Sequence, residues 1–276
     1  RNKIGEEMYR VEKVINNNAL LAYDEDKNIE VIFLGTGVGF GKKVDCLFEE
    51  IDGAKKFYTN DKIKEVTQSV DPIYLEIAEL ILNEAELEFK NVDRMIQFAL
   101  ADHIAFAIER MENRVDIVNP FSKDISLLYT DEYKVAVKGA KIIEDKLNVK
   151  INDDEIAYIT LHIHSALGQE NVADSMQTAM IIDDGLVLLE KLCGVSLNKE
   201  SSSYARFLVH LKYMFYRIKN NEILNLDMND YALDNFKSSY DIASEVIREI
   251  ENLGKIVIPR VEIGYLAIHI ERILRD

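Results

Sequence analysis

The stretch DEIAYITLHIHSAL (154–167) recurs as VEIGYLAIHIERIL (261–274) near the end of the chain. Six positions match: Glu155, Ile156, Tyr158, His162, Ile163 and Leu167 correspond to Glu262, Ile263, Tyr265, His269, Ile270 and Leu274. An earlier histidine precedes the histidine of each stretch at the same separation in both cases, His103 before His162 and His210 before His269. A repeat of this length predicts one helical module used twice, with two histidines in each copy.

Charge divides the chain into two parts. Residues 1–58 hold nine Lys and Arg against 11 Asp and Glu, whereas residues 59–276 hold 24 against 38 and account for most of the net charge of −16. Because an acidic surface repels phosphates, the second part is a poor binder of nucleic acid. Any nucleic-acid site is therefore expected in the first part.

Length and cysteine content place further bounds on the protein. Of its 276 residues 48% are apolar, enough for two or three small domains with cores. Cys46 and Cys193 lie in different segments, and the sequence shows neither a signal peptide nor an apolar run long enough for a membrane-spanning helix. These features predict a cytoplasmic protein with reduced thiols. Residues 1–7 precede Met8 and are left out of the fold prediction.

The first part has the pattern of short strands. Apolar residues recur over Tyr9–Ile15, Ala19–Tyr23 and Ile29–Leu34, which are separated by an asparagine triplet and an acidic turn. GTGVGFGKK (35–43) follows, and its four glycines permit positive φ and close approach of backbones. The pattern predicts a small antiparallel sheet over residues 8–58.

The second part has helical spacing after a polar linker at 59–71. The predicted helices are 73–89, 92–112, 131–147 and 154–167 in the first copy, and 174–193, 202–219, 231–253 and 260–275 in the second. The predicted fold class is therefore multidomain, with a small antiparallel β-sheet N-terminal domain followed by two homologous all-α helical bundles at 72–172 and 173–276.

Side chains of the N-terminal part suit contacts with RNA. Asparagines carry both a donor and an acceptor and can bind base edges. The ring of Phe40 can stack on a base, and Lys13, Lys42 and Lys43 can neutralise phosphates. Turn chemistry explains Asn-rich and Gly-rich segments equally well. A dinucleotide-binding GxGxxG loop is disfavoured, because no helix follows and no βαβ unit surrounds the glycines.

The repeated histidines suit phosphoryl transfer. Glu155, Tyr158 and His162 share one helix face, so the carboxylate and the tyrosine either anchor the helix or orient the imidazole. A neutral imidazole is a competent nucleophile toward a phosphoryl donor near pH 7. His164 lies two residues from His162 and projects about 200° away on a helix. That spacing does not predict a metal site, so His164 is interpreted as incidental.

The segment KVINNNALLAYDEDKNIEVIFLGTGVGFGKK (13–43) resembles the co-antiterminator RNA-binding domain of sugar-responsive bacterial transcriptional antiterminators. The two repeats resemble the regulation domains of the phosphoenolpyruvate:sugar phosphotransferase system (PTS) that follow it in that family. The resemblance extends from Met8 to Leu274. Three segments are most similar to the glucose-type members: DHIAFAIER (102–110), NPF (119–121) and LHIHSAL (161–167).

This resemblance implies a protein that binds an RNA hairpin in nascent mRNA and prevents terminator formation. The predicted RNA-binding residues lie on one face of a dimeric sheet: Lys13, Asn16, Asn18, Gly35, Thr36, Gly37, Phe40 and Lys42. Thr36 departs from the family pattern, which often has a basic residue there.

The resemblance also implies phosphorylation of His103, His162, His210 and His269. In the family a sugar permease (enzyme II) phosphorylates the first repeat with an inhibitory effect, and the phosphocarrier protein HPr phosphorylates the second, often with an activating effect. We expect a homodimer without a catalytic residue, cofactor or metal.

Two other classes of protein compete with this interpretation. A PTS-regulated DNA-binding activator also carries such repeats, but it needs a helix-turn-helix at a position where this sequence predicts strands. A phosphotransferase or metal hydrolase could use the histidines, but neither metal-ligand spacing nor a nucleotide loop supports one.

Overall fold

The computed structural model describes residues 7–35, 37–59, 63, 66, 67, 69–115, 117–168 and 170–275. Within them a sheet precedes ten helices, which confirms the predicted fold class. The strands are Tyr9–Asn16 (β1), Ala19–Asp24 (β2), Ile29–Leu34 (β3), Leu47–Phe48 (β4) and Lys55–Tyr58 (β5). The helices are Pro72–Glu88 (α1), Ile96–Glu112 (α2), Ser122–Leu128 (α3), Thr130–Leu147 (α4), Asp153–Ala166 (α5), Val172–Cys193 (α6), Ser202–Lys219 (α7), Asn229–Asn235 (α8), Lys237–Gly254 (α9) and Val261–Arg275 (α10).

The strands form one antiparallel sheet in the order β4-β1-β2-β3-β5. Its apolar face is a small aromatic core in which the rings of Tyr9 and Phe33 meet edge to face, with centroids 4.8 Å apart. Sequence predicted the first three strands but neither β4 nor β5. β4 has only two residues and β5 begins with two lysines, so neither shows the alternation that identifies a strand.

Side chains define several helix ends. The carboxylate of Asp71 accepts a hydrogen bond from the backbone N–H of Ile73 at 2.9 Å and caps α1, which has Pro72 in its first turn. Ser201 caps α7 through the N–H of Tyr204 at 3.1 Å. Gly194 ends α6 in the left-handed region with a φ of 67°.

The predicted helix 231–253 is wrong, because the structure interrupts it at Phe236, whose φ and ψ are −138° and 46°. The backbone N–H of Phe236 donates to Ala232 at 2.7 Å, and its carbonyl accepts from Tyr240 at 2.9 Å. The interruption therefore leaves that residue's backbone groups paired, and no Pro or Gly marks it in the sequence.

Other helix boundaries also differ from the prediction. The predicted helix 92–112 begins only at Ile96, after a turn, and α3 was not predicted. Six of the 13 residues of the predicted linker 59–71 lie outside the described residues.

Contacts within the described chain define two compact units. The first contains the residues up to Ile117 together with Val135–Glu155 and 166–168. The second contains Val118–Lys134, Ile156–Ser165 and the residues from Glu170 onward. The second unit has a continuous apolar core that includes Ile182, Phe207, Leu211, Ile250 and Leu266.

Two further observations concern cysteines and membranes. Cys46 and Cys193 are free thiols. Among the helices of the described residues, none is long and apolar enough to span a membrane.

Gly264 lets α10 approach the start of α8 closely. A Cβ there would lie 2.6 Å from the carbonyl carbon of Met228 and 2.7 Å from the nitrogen of Asn229, so backbone would have to move. We expect Gly264→Ala to lower the free energy of unfolding in urea by about 1–3 kcal/mol.

Gly185→Ala is the matched control in the same unit, because its Cβ would meet side chains and not backbone, Ile250 at 3.3 Å and Val246 at 3.7 Å. Its effect should stay within about 1 kcal/mol of the parent, since Ala also favours the helix. Equal losses in the two variants would contradict the proposed backbone clash.

Candidate functional site

The asparagine triplet and the glycine-rich loop are neighbours in the folded N-terminal sheet. The backbone carbonyl of Asn18 accepts from the N–H of Gly35 at 2.9 Å, and its side-chain Oδ1 accepts from the N–H of Gly37 at 2.8 Å. A Cβ on Gly39 would lie 2.1 Å from the carbonyl oxygen of Asn16, so only glycine fits there. Sequence reasoning noted this glycine within its motif but did not predict it as a site residue.

The remaining loop residues present a ring and charges to solvent. Phe40 is 75% exposed, and Gly37 is exposed with a φ of 76°. The ammonium of Lys42 lies 4.7 Å from the ring centroid of Phe48, which keeps this charge at the edge of the loop. Thr36, also predicted to bind RNA, lies outside the described residues.

Two predicted RNA-binding side chains are engaged by the segment that follows the sheet. The Nδ2 of Asn18 donates to Glu79 Oε1 of α1 at 2.7 Å, and the ammonium of Lys13 donates to the carbonyl of Thr67. Glu79 is only 8% exposed, and burial raises the pKa of its carboxyl although the bond from Asn18 opposes that rise. Asn16 Oδ1 accepts from the backbone N–H of Asn18 at 2.9 Å.

In the first copy a buried carboxylate lies between a histidine and an arginine. Glu155 Oε2 is 3.2 Å from His103 Nε2, and Glu155 Oε1 accepts from Arg110 Nη2 at 2.8 Å. Burial opposes ionisation of Glu155, yet the contacts with His103 and Arg110 hold the pKa of its carboxyl below the usual value. The carboxylate is therefore charged at pH 7 and divided between two partners.

In the second copy the corresponding carboxylate forms a bidentate ion pair with its arginine. Arg217 donates from Nε and Nη2 to the two oxygens of Glu262, each at 2.8 Å. His210 Nε2 is 3.8 Å from Glu262 Oε2, beyond hydrogen-bond distance. This bidentate pair leaves little of the negative charge of Glu262 for the histidine.

The two histidines of the second copy lie side by side. The ring centroids of His210 and His269 are 4.7 Å apart. Burial, reinforced by His269 and Arg217, lowers the pKa of His210 to about 3. Burial followed by the charges of Arg272 and Arg206 lowers the pKa of His269. Both imidazoles are therefore neutral at pH 7, the form that attacks a phosphoryl group.

The glutamates do not orient the histidines of their own helix. Glu262 lies seven residues before His269, about 10 Å along the helix axis, and instead approaches His210 of α7. The ring of Tyr265 also lies near His210: the two ring centroids are 6.3 Å apart and the ring planes are inclined by 17°. For the two glutamates, the prediction that the carboxylate orients the histidine of its own helix is therefore wrong, because Glu155 and Glu262 lie beside His103 and His210.

Sequence reasoning missed Arg110 and Arg217. Each follows the first histidine of its copy by seven residues, in HIAFAIER and HLKYMFYR, so a comparison of the two copies could have identified both. On a helix that spacing places the two side chains on one face, two turns apart.

The remaining histidines are buried. His162 is buried on α5. His164 Nδ1 is 2.9 Å from Glu132 Oε1, and its ring lies 4.2 Å from that of Tyr129. In the part of the chain that the structure describes, no group of three His, Cys, Asp or Glu residues could hold a metal ion.

The second copy has an equivalent of the bond made by His164. Ser239 and Glu271 occupy the positions of the repeat that Glu132 and His164 hold in the first copy. Ser239 Oγ donates to Glu271 Oε2 at 2.7 Å. These two positions therefore hold a structural polar pair in both copies.

Comparison with known proteins gives two family matches. The PRD domain matches residues 75–166 and 186–273, and the CAT RNA binding domain matches residues 9–65. The "PtsGHI operon antiterminator" of Bacillus subtilis (strain 168) is 31% identical over 278 residues, covering 96% of this chain and 97% of the relative. The "GlcA/glcB genes antiterminator" of Staphylococcus carnosus (strain TM300) is 27% identical over 271 residues, covering 95% and 94%. The solved structure titled "Crystal structure of GlcT CAT-PRDI" is 36% identical, covers 58% of this chain and 98% of its own, and has a TM-score of 0.47.

The neutral state of His210 makes stability depend on pH. The unfolded chain protonates this imidazole near pH 6.5, whereas the folded chain does so only near pH 3. Between these values the unfolded state binds the additional proton, so folding stability falls as the pH falls. We expect urea unfolding of His210→Gln to show a smaller loss from pH 7 to pH 4 than the parent. The two should run in parallel from pH 7 to pH 8, and parallel curves over the whole range would contradict the assignment.

Proposed function

Because this chain belongs to the family of transcription antiterminators that join a CAT RNA binding domain to two PRD domains, we propose that it binds an RNA hairpin in a nascent transcript and so prevents terminator formation. Phosphorylation of histidines in the PRD domains controls that binding. The proposed bounds are 8–58 for the RNA-binding domain, 59–71 for the linker, and 72–172 and 173–276 for the PRD domains. The matched family spans support this division.

The RNA-binding face in this proposal is formed by the asparagine triplet and the glycine-rich loop. Support comes from the hydrogen bonds through which Asn18 joins the two segments, and from the exposed ring of Phe40 beside Lys42. A ring of this kind stacks on an unpaired base, while the lysines meet the backbone phosphates. Thr36 belongs to the same loop and is proposed to contact RNA with it.

The phosphorylation sites in this proposal are His103, His162, His210 and His269. The observation that carries it is the duplicated set of a histidine, a buried glutamate and an arginine, in which the glutamate lies beside an imidazole in each copy. The side chains of His103 and His210 are only 15% and 10% exposed, so transfer requires local opening of the helices. A phosphoryl group then adds about 1.5–2 negative charges and favours a different arrangement.

The proposed partners follow from this family membership. HPr and a PTS sugar permease are the phosphoryl donors, and a second copy of the chain completes a homodimer. Holding two small RNA-binding domains together raises their effective concentration on one hairpin. The names of the relatives support a glucose-type antiterminator that acts on transcripts in the cytoplasm.

The competing DNA-binding activator is disfavoured. Such a protein needs a helix-turn-helix, whereas residues 9–58 fold into an antiparallel sheet within the described chain. A gel shift of the full chain against the leader RNA, with its DNA duplex and a scrambled hairpin as competitors, separates the two classes. Preference for the duplex would overturn the proposal.

Phe40→Ala tests the RNA-binding face. Loss of one stacked base costs about 1–3 kcal/mol, so we expect the full chain to bind the leader hairpin at least about fivefold more weakly. Val44→Ala is the matched control, because this residue is also an exposed apolar side chain near the loop. Equal affinity of the Phe40→Ala variant and the parent would remove Phe40 from the site.

Replacing both histidines of the first copy tests the control mechanism. Without an acceptor for the inhibitory phosphoryl group, His103→Ala with His162→Ala should give antitermination without the inducing sugar, measured with a leader–reporter fusion. His164→Gln is the control for loss of a histidine at a position where no phosphorylation is proposed. A double variant that responds to sugar like the parent would contradict the proposal.

A further inference from the structure

The histidine pair of the second copy opens into a cavity of about 470 Å³. Both imidazoles line it, and Arg206, Arg217 and Tyr213 are among the other lining residues. The Nε2 of His210 has no hydrogen-bond partner within the described residues. Two neutral imidazoles and two arginines therefore line the same cavity.

The arginines near the histidine pair differ in what they already bind. Arg206 and Arg217 line the cavity, whereas Arg272 follows His269 by three residues on α10, which places these two side chains on one face of that helix. Arg217 is committed to both oxygens of the buried Glu262, and that pair is close to neutral. Arg206 and Arg272 are exposed, and no carboxylate among the described residues lies within 4.0 Å of either. Both nevertheless lie close enough to His269 to lower its pKa, after the larger effect of burial. Two uncommitted positive charges thus converge on one imidazole.

This convergence is significant in so acidic a chain. Among the exposed arginines of the second unit, Arg248 pairs with Glu245 and Arg275 pairs with Glu271, whereas Arg206, Arg260 and Arg272 have no carboxylate partner among the described residues. Since Glu271 is already paired, it does not neutralise the neighbouring Arg272. The charges of Arg206 and Arg272 are therefore available to an anion from outside.

The first copy has none of this positive charge. At the equivalent positions of its sequence, Ala99 and Ser165 replace Arg206 and Arg272, and Asp102 replaces Val209. The summed formal charge of these three positions is +2 in the second copy and −1 in the first. The carboxylate of Glu155 also remains beside His103, at 3.2 Å.

We propose that Arg206 and Arg272 bind the phosphoryl oxygens at the His210/His269 pair, so that the second copy is an oxyanion site and the first copy is not. The proposal rests on phosphorylation of the second copy as proposed above. The guanidinium group is planar and presents paired N–H donors that match two phosphate oxygens. Arg206 lies on α7 and Arg272 on α10, so a phosphoryl group held by both ties these helices together.

Bonds and protons balance in the transfer step. A ring nitrogen of the acceptor histidine forms a bond to phosphorus as the bond from phosphorus to the phosphohistidine of a protein carrier breaks. The acceptor ring gives up the proton on its other nitrogen, and the released donor ring gains one. The arginines take no part in bond making, but they hold the three non-bridging oxygens as charge builds on them.

The two copies then respond to one modification in opposite directions. In the second copy the added charge meets two arginines and stabilises the contact of α7 with α10. In the first copy the same charge faces Asp102 and Glu155, and repulsion loosens the helices. The sign of the response is set by the residues at three positions of each copy.

The first experiment uses inorganic phosphate as the probe and the full chain labelled in its five histidines. At constant ionic strength, NMR titration should shift the His210 and His269 signals saturably and leave His103 and His162 unchanged. Arg206→Ala with Arg272→Ser introduces the residues that the first copy has at these two positions and should weaken phosphate binding about tenfold or more. Arg248→Gln, also an exposed arginine of the second unit, is the matched control and should bind like the parent. Equal shifts of all five histidines would indicate general screening and overturn the proposal.

The second experiment uses phosphorylated HPr as the donor and separates this inference from the proposed function. If the parent chain gains no phosphohistidine at His210 or His269, the proposed function fails. If the parent is phosphorylated but the double arginine variant matches it in rate and in phosphohistidine half-life, only the present inference fails. We expect the variant to be slower by about tenfold or more. Arg206→Lys with Arg272→Lys should recover part of the loss, because the charge returns without the paired donors.

Discussion

A carboxylate buried beside a histidine is the constraint from which the chemistry of both helical copies follows. Such a charge is costly in a protein interior unless it is paired, and in each copy the partner is an arginine two helical turns beyond the first histidine. The geometry of that pair then sets the state of the imidazole. Glu155 divides its oxygens between Arg110 and His103, whereas Glu262 gives both oxygens to Arg217. Two modules with the same sequence pattern thus surround their first histidine with different charges: a carboxylate oxygen lies close to His103, whereas the carboxylate near His210 is bound by an arginine.

Sequence periodicity was enough to predict the sheet and most helices, because their apolar faces repeat at 2.0 or 3.6 residues. It failed at Phe236, where the helical pattern continues although the backbone does not, and at β4 and β5, which are too short or too charged to alternate. The repeat alone identified the four histidines as candidate sites.

The residues beside these histidines could not be predicted. Glu262 lies on α10 and His210 on α7, and hydrophobic periodicity does not indicate which residues of two different helices are neighbours. Sequence also could not indicate that Asn18 is held by Glu79, since 61 residues separate them. Gly39 shows the opposite case. Its motif was visible in the sequence, but the need for glycine at that position depends on the carbonyl of Asn16 at the end of β1.

The hydrogen bond between Asn18 and Glu79 has a thermodynamic consequence. An amide N–H that donates to a carboxylate on α1 cannot give the same proton to a base, so an RNA that uses this N–H of Asn18 must first break the bond. Linkage makes such competition reciprocal: the factor by which the bond weakens RNA affinity equals the factor by which bound RNA weakens the bond. When the transcript takes this N–H of Asn18, RNA is itself an effector of the first helical copy, and the transcript and the phosphoryl donors both change the equilibrium of that copy.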